Sequence, residues 1–327
     1  MKKVLITFSE LFYGGAEKQF RELVSRIDKK NFNIVAVVSG ANTGNKDSSA
    51  VEKFVGENPQ VKFYFLKNIS IPKNVFLKLK VSDSYKKQME KILTEEKPDI
   101  VLAYSGIELS GSYLYKKYNA KVIFSERESG NRGKLKFLRY SFFFRKVDKI
   151  VCNSLDAKRF YADHNIETSY IPNGIQVHSQ MDLPQNDRFH IVVPARIVRV
   201  KNQELVLKAL EMLDSEEYKV TFVGKQEDLE YLSYLKQMVK DEIKKSQIEF
   251  LPFTSDVEGI YKSADLIILP SKMEGFTNVL LECYMFGRLC LVSDIVMNRD
   301  VANRGQRFFA ADDMKLIEEF YANKKEA

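Results

Sequence analysis

Short, nearly unbroken apolar runs recur along the chain, and stretches with apolar residues at helical spacing stand between them. A run that is apolar on both faces suits a strand covered on both sides, the habit of parallel sheets whose crossover helices lie on the two faces. The first run spans residues 4–8. Phe20, Leu23, Val24 and Ile27 then recur at helical spacing, and a second run follows at 33–39. Strand, helix, strand from the first residues predicts an α/β chain built on parallel sheets.

The alternation continues with strands over 62–66, 99–104, 122–125, 149–153 and 169–172. Helices fall over 82–94, from Gly106, and through Phe160. Pro172, Asn173, Gly174, Pro184, Gln185 and Asn186 then crowd a polar stretch, the composition of a linker. A second series follows, with strands over 190–195, 219–223, 248–253, 265–270 and 289–292. Asn202 is placed to cap a helix carrying Leu205, Val206, Ala209, Leu210 and Leu213. One long charged helix is expected over 227–245, with shorter ones over 257–263 and 314–321. The boundaries are thus a domain 1–175, a linker 176–187 and a domain 188–327. At 327 residues, two ordinary cores can form. The expected architecture is two Rossmann-like domains facing each other across a cleft, with ligands beyond the carboxyl ends of the strands.

Composition removes several function classes. Hydrophobic residues at 45% and charged residues at 29% are those of a soluble globular protein. A net charge of +7 is modest for this length and does not call for a nucleic-acid partner. Cys152, Cys283 and Cys290 are an odd number in apolar contexts without a CxxC, which fits buried thiols in a reducing cytoplasm. Glu10 interrupts the first apolar run too early for a signal peptide. No stretch has the length of a membrane span, so any membrane contact is expected to be peripheral.

The stretch from Leu266 to Gly287 carries the clearest chemistry. An apolar strand turns through a loop holding Glu274 and Gly275. A helix follows, apolar on most sides, and stops at Gly287, a good residue for a left-handed C-terminal cap. The start of such a helix offers unpaired N–H groups and positive potential to an anion. Glu274 and Glu282 flank that place. Carboxylates suit hydroxyls on either side of a phosphate, such as a ribose and a sugar, better than the phosphate. Arg196 and Lys201 lie at the corresponding edge after the strand 190–195, where two cations could neutralise a diphosphate leaving group; each could also be a solvated loop residue. Gly14-Gly15 stands where the first strand passes into its helix. It allows close approach of a ligand to the backbone, or is a plain tight turn. Neither GxGxxG nor GxxxxGK[ST] occurs. Residues 132–146 are basic and aromatic, and suit either an interfacial helix on anionic lipid or a packed crossover helix.

These stretches together resemble the retaining glycosyltransferases of family 4, which have the GT-B fold. Glu274-Gly-Phe-Thr-Asn-Val-Leu-Leu-Glu282 looks like the family's E-x7-E motif. Gly14-Gly15-Ala16-Glu17 is similar to its N-terminal glycine loop, Ile171-Pro-Asn-Gly-Ile175 to its IPNG element, Arg196 and Lys201 to its R-x4-K clamp, and Asn298-Arg299-Asp300 to its NRE/NRD segment. The resemblance covers nearly the whole chain. It implies a nucleotide sugar, UDP-linked by expectation, bound mainly by the second domain. Arg196 and Lys201 would hold the diphosphate with backbone N–H groups around Thr277, Asn278 and Val279, and Gly275 and Phe276 would also bind the donor. Glu282 would accept from the ribose and Glu274 from the transferred sugar. The base would lie against Leu251-Pro-Phe253, and Gly14 and Gly15 would close over the phosphates. No cofactor and no metal are implied, in keeping with the lack of D-x-D and of spaced His/Cys clusters. The acceptor would be a saccharide or lipid-linked saccharide in surface polysaccharide assembly, on the inner face of the plasma membrane.

The chain departs from the family pattern in three places. Glu126-Arg127 follows the strand 122–125 where many members carry a histidine, as in a polysaccharide-assembly branch with a similar S-E-R pattern. Arg127 could contact donor sugar or phosphate, or pair with Glu126 or Glu128. Gln226 replaces the second glycine after Gly224. Members also usually continue past the final helix, whereas little sequence follows Tyr321. Two other functions fit these features less well: a nucleotide-sugar epimerase of the same fold, which usually uses cleft histidines, and a nucleotide-sugar-binding protein without turnover.

Overall fold

The computed structural model describes residues 1–9, 11, 15–40, 48–69, 82–104, 106–127, 134–175, 186–212, 217–254, 256–303 and 306–310. The chain divides into two compact units, Met1–Asn173 and Gly174–Ala327.

The first unit runs β1 (Lys2–Phe8), α1 (Gly15–Arg26), β2 (Phe32–Val38), α2 (Ser48–Gly56), β3 (Lys62–Phe65), α3 (Asp83–Glu96) and β4 (Ile100–Ala103). It continues with α4 (Gly106–Ser110), α5 (Ser112–Lys117), β5 (Lys121–Glu126), α6 (Lys134–Phe144), β6 (Lys149–Cys152), α7 (Leu155–Asp163) and β7 (Ser169–Tyr170). Its sheet has the order β3-β2-β1-β4-β5-β6-β7 with parallel pairings throughout. Leu5 and Ile6 of β1 point to opposite faces, and both are fully buried. Helices on the two faces explain why this strand reads as apolar without alternation. Burying each such side chain contributes roughly 2 kcal/mol.

The second unit runs β8 (Phe189–Pro194), a short 3-10 turn (Arg199–Lys201), α8 (Gln203–Met212), β9 (Tyr218–Val223), α9 (Leu229–Met238), α10 (Glu242–Gln247) and β10 (Ile248–Leu251). It ends with α11 (Val257–Ser263), β11 (Leu266–Leu269), α12 (Asn278–Met285), β12 (Leu289–Ser293), α13 (Val296–Val301) and β13 (Arg307–Phe309). The order is β10-β9-β8-β11-β12-β13, again all parallel. Strand order reverses between β1 and β4 in one sheet and between β8 and β11 in the other, the points at which open α/β sheets bind ligands.

Several expectations shift. The single helix expected over 227–245 is two helices. Val239 is extended (φ −81°, ψ 110°) and buried. Its side chain is taken up by the core at the cost of helical continuity, and Asp241 then accepts from the Lys244 N–H at 3.1 Å to start α10. Helix α2 and strand β13 were not anticipated. The aromatic residues of α6 divide. Tyr140 and Phe143 are buried, Phe137 and Phe144 pack against the same core, and Phe142 is exposed and stacked on Tyr113. Most of the apolar surface expected to enter a bilayer is therefore used inside the first unit. No helix among the described residues is long and apolar enough to cross a membrane. The expected helix over 314–321, Gly14, Glu128 and residues 132–133 lie outside the described residues.

Candidate active site

Helix α12 shows how the sequence positions the site. Strand β11 is buried at every residue. The loop Pro270–Thr277 follows it, and α12 buries Leu280 and Cys283. Gly287 (φ +59°) ends the helix as expected: its N–H donates to the Tyr284 carbonyl at 3.2 Å, and the Arg288 N–H reaches back to the Cys283 carbonyl at 2.9 Å. This is the double bond pattern of a left-handed C-terminal cap.

The start of α12 is unusual. Thr277 stands at the N-cap but makes no side-chain cap bond. Its hydroxyl donates instead to Asn298 Oδ1 at 2.6 Å. Asn298 is fully buried and donates through Nδ2 to the Ser293 carbonyl (2.8 Å) and Ser293 Oγ (3.2 Å). Ser293 Oγ donates in turn to the Ser271 carbonyl at 2.5 Å. The loop before α12 is thus tied from both ends to β12 and α13, and a Thr that would ordinarily satisfy a helix N–H is drawn away from it. Gly275, Phe276, Asn278 and Val279 are half-buried along this turn.

Across the β8–β11 pairing, the loop after β8 meets the loop after β11. The Lys272 N–H donates to the Val200 carbonyl at 2.9 Å. Lys201 Nζ donates to both oxygens of Glu274, each at 2.6 Å, with side chains only 13% and 15% exposed. Asn202 follows in a left-handed conformation (φ 56°), and its carbonyl accepts from the Leu205 N–H at the start of α8. Two residues 73 apart in sequence are therefore brought together by the reversal of strand order.

Arg196 is not part of that pair. Its Nη1 donates to Glu227 Oε2 at 2.7 Å, and its side chain is 53% exposed. Lys225 lies 3.2 Å from the other oxygen of Glu227. Partial burial would raise the Glu227 carboxyl, but Lys225 and Arg196 outweigh it and hold the group below its ordinary value. The strand ends behind Arg196 sit close: a Cβ on Gly224 would meet the Ala195 carbonyl oxygen at 2.1 Å. Gln226, which replaces the family's second glycine, forms an isolated parallel bridge with Ile197, so here it zips the two loops together.

Glu282 is buried, and Tyr261 of α11 donates to its Oε2 at 2.6 Å. Burial, and then the Glu282 carboxylate, push the Tyr261 phenol well above its ordinary value of 10.0, so its hydroxyl stays a donor. Phe253, after β10, is 43% exposed. In the first unit Gly15 opens α1. Arg127 Nη1 donates to Asn173 Oδ1 at 2.6 Å and Nη2 to the Tyr104 hydroxyl at 3.1 Å, with the guanidinium 4.7 Å from the Tyr104 ring centre. Glu126 accepts from Tyr161 at 2.7 Å. Arg127 thus holds the asparagine of the IPNG element. The described histidines sit outside these loops. His190 is in β8, bonded to Ser263 and Thr221, and His164 packs on Phe137. Tyr261 and Glu227 were missed, since neither falls in a motif; Asn298 lay in a recognised segment that gave no hint of its bonds.

Residues 13–179 match the family model Glycosyltransferase Family 4, and residues 177–323 match Glycosyl transferases group 1. An uncharacterized glycosyltransferase of Haemophilus influenzae is 23% identical over 286 residues, covering 84% of this chain and 75% of its own length. The structure of Anabaena Alr3699/HepE in complex with UDP and glucose is similar with a TM-score of 0.81 at 13% identity, covering 100% of this chain and 91% of that one. The lipopolysaccharide outer core galactosyltransferase WaaB, in its apo form, is similar with a TM-score of 0.68 at 16% identity, covering 97% and 88%. The fold is the α/β, two-domain GT-B fold, and the chain belongs to glycosyltransferase family 4.

Proposed function

We propose that the second unit binds a nucleotide-diphosphate sugar, with UDP as nucleotide, and that the protein transfers the sugar with retention to a saccharide or lipid-linked acceptor in surface glycan assembly. The observation that carries this reading is the meeting of Lys201 and Glu274 at the β8–β11 reversal, a cation and an acid side by side where a diphosphate and a sugar must also lie side by side. UDP and glucose in the Anabaena structure, and the galactosyl transfer named for WaaB, support the donor class and a hexose.

In this reading Lys201 and the start of α12 take the diphosphate, and Arg196 swings from the exposed Glu227 to join them. Glu282 accepts from the ribose, Phe253 flanks the base and Glu274 accepts from the transferred sugar. The developing charge on the leaving diphosphate is stabilised by groups already in place. Those cations can carry the charge without a metal, so turnover should persist in excess EDTA. Contact with an anionic membrane would rest on Phe142, Arg145 and Lys146, and pelleting with anionic vesicles at low salt tests it. Calorimetric titration with UDP-, GDP- and ADP-sugars should give saturable binding for UDP-sugars. An α-linked donor should give an α-linked product by NMR, and an inverted product would contradict the assignment.

A further inference from the structure

Lys201 spends two of its three N–H donors on Glu274, at 2.6 Å to each oxygen, and both side chains are largely withdrawn from water. A diphosphate arriving here competes with a carboxylate already in possession of its cation. Bare nucleotide gives nothing back: if it takes Lys201, Glu274 is left as a half-buried anion beside a second anion, which both desolvation and repulsion oppose. A nucleotide sugar brings hydroxyl donors that can replace the ammonium at Glu274. The same carboxylate therefore repels one ligand and receives the other.

We infer that Glu274, through its pair with Lys201, discriminates the nucleotide-sugar donor from the free nucleotide, and recaptures Lys201 after transfer so that the nucleotide product is expelled. This rests on the donor reading above. It gives Glu274 a role distinct from holding the sugar, because it acts on a ligand that carries no sugar. Loss of an ordinary binding group weakens every ligand that touches it. Loss of this one should strengthen the nucleotide.

The test is titration calorimetry of the full chain with UDP and with UDP-glucose, for wild type and Glu274→Gln, with circular dichroism to confirm folding. Glutamine keeps the shape and removes the charge. UDP should bind Glu274→Gln about tenfold more tightly than wild type, while UDP-glucose loses its advantage over UDP. Unchanged or weaker UDP binding by the variant overturns the inference and leaves the donor reading intact. A wild type that binds no UDP-, GDP- or ADP-sugar overturns the donor reading and the inference with it. If Glu274→Gln does not fold, Glu274→Asp draws the acid back from Lys201 by one methylene. It must then show a smaller tightening in the same direction, and its absence is equally decisive.

Discussion

At the scale of single residues, the sharpest constraints come from groups that have no freedom to move. Gly224 approaches the Ala195 carbonyl so closely that a methyl group would lie 2.1 Å from its oxygen. Gly224→Ala should destabilise the protein by about 2 kcal/mol, the usual cost of forcing an extra carbon into a packed site, read by urea unfolding. His190 offers a pH test. Burial, the largest influence, lowers its pKa below the ordinary 6.5. The unfolded chain therefore takes up a proton at His190 before the folded one does, and stability should fall as pH drops below 6.5. His190→Gln should flatten that part of the profile. Glu227, also lowered, adds a further loss only below its ordinary 4.5, so the two losses begin at different pH. None of these three roles was legible in the chain. A strand-end glycine, a strand histidine and a loop glutamate look ordinary until the pairing of β8 with β9 and the packing of α11 place their neighbours.

At the scale of elements, the sequence was most informative where one segment carried its own signal. The left-handed end of α12 at Gly287 was readable because a helix end is settled by a few adjacent residues. The start of the same helix was not, because Thr277 is held by Asn298, 21 residues away. The break at Val239 was hidden for the same reason: a charged helical pattern runs through it, and a tertiary contact overrides it. Asn298→Ala should release Thr277 to cap α12, removing three buried hydrogen bonds for a loss of about 2 kcal/mol of stability and weakening nucleotide binding. Adding Thr277→Val to that variant takes away the hydroxyl that would cover the helix N–H. Nucleotide affinity should then recover in part, whereas a purely structural strut predicts no recovery.

At the scale of the whole molecule, two βα series predicted two parallel sheets, and the strand orders, with their reversals at β1–β4 and β8–β11, agree with that reading. What periodicity could not supply was which loops meet. Lys201 and Glu274 are joined by order reversal, and the family motifs marked both residues without showing that they pair. Arg196, expected to hold the same diphosphate as Lys201, lies with Glu227 instead. The basic aromatic segment at 132–146 illustrates the opposite difficulty. Its composition suited a membrane surface, but the first unit's core takes Tyr140 and Phe143. The measurement that bears most directly on the donor site is calorimetric titration of a UDP-sugar into wild type, Lys201→Ala and Glu282→Ala, each checked for folding. Affinity should fall at least about tenfold in both variants, the loss expected for a charged hydrogen-bonding partner; unchanged affinity in both would place the donor elsewhere.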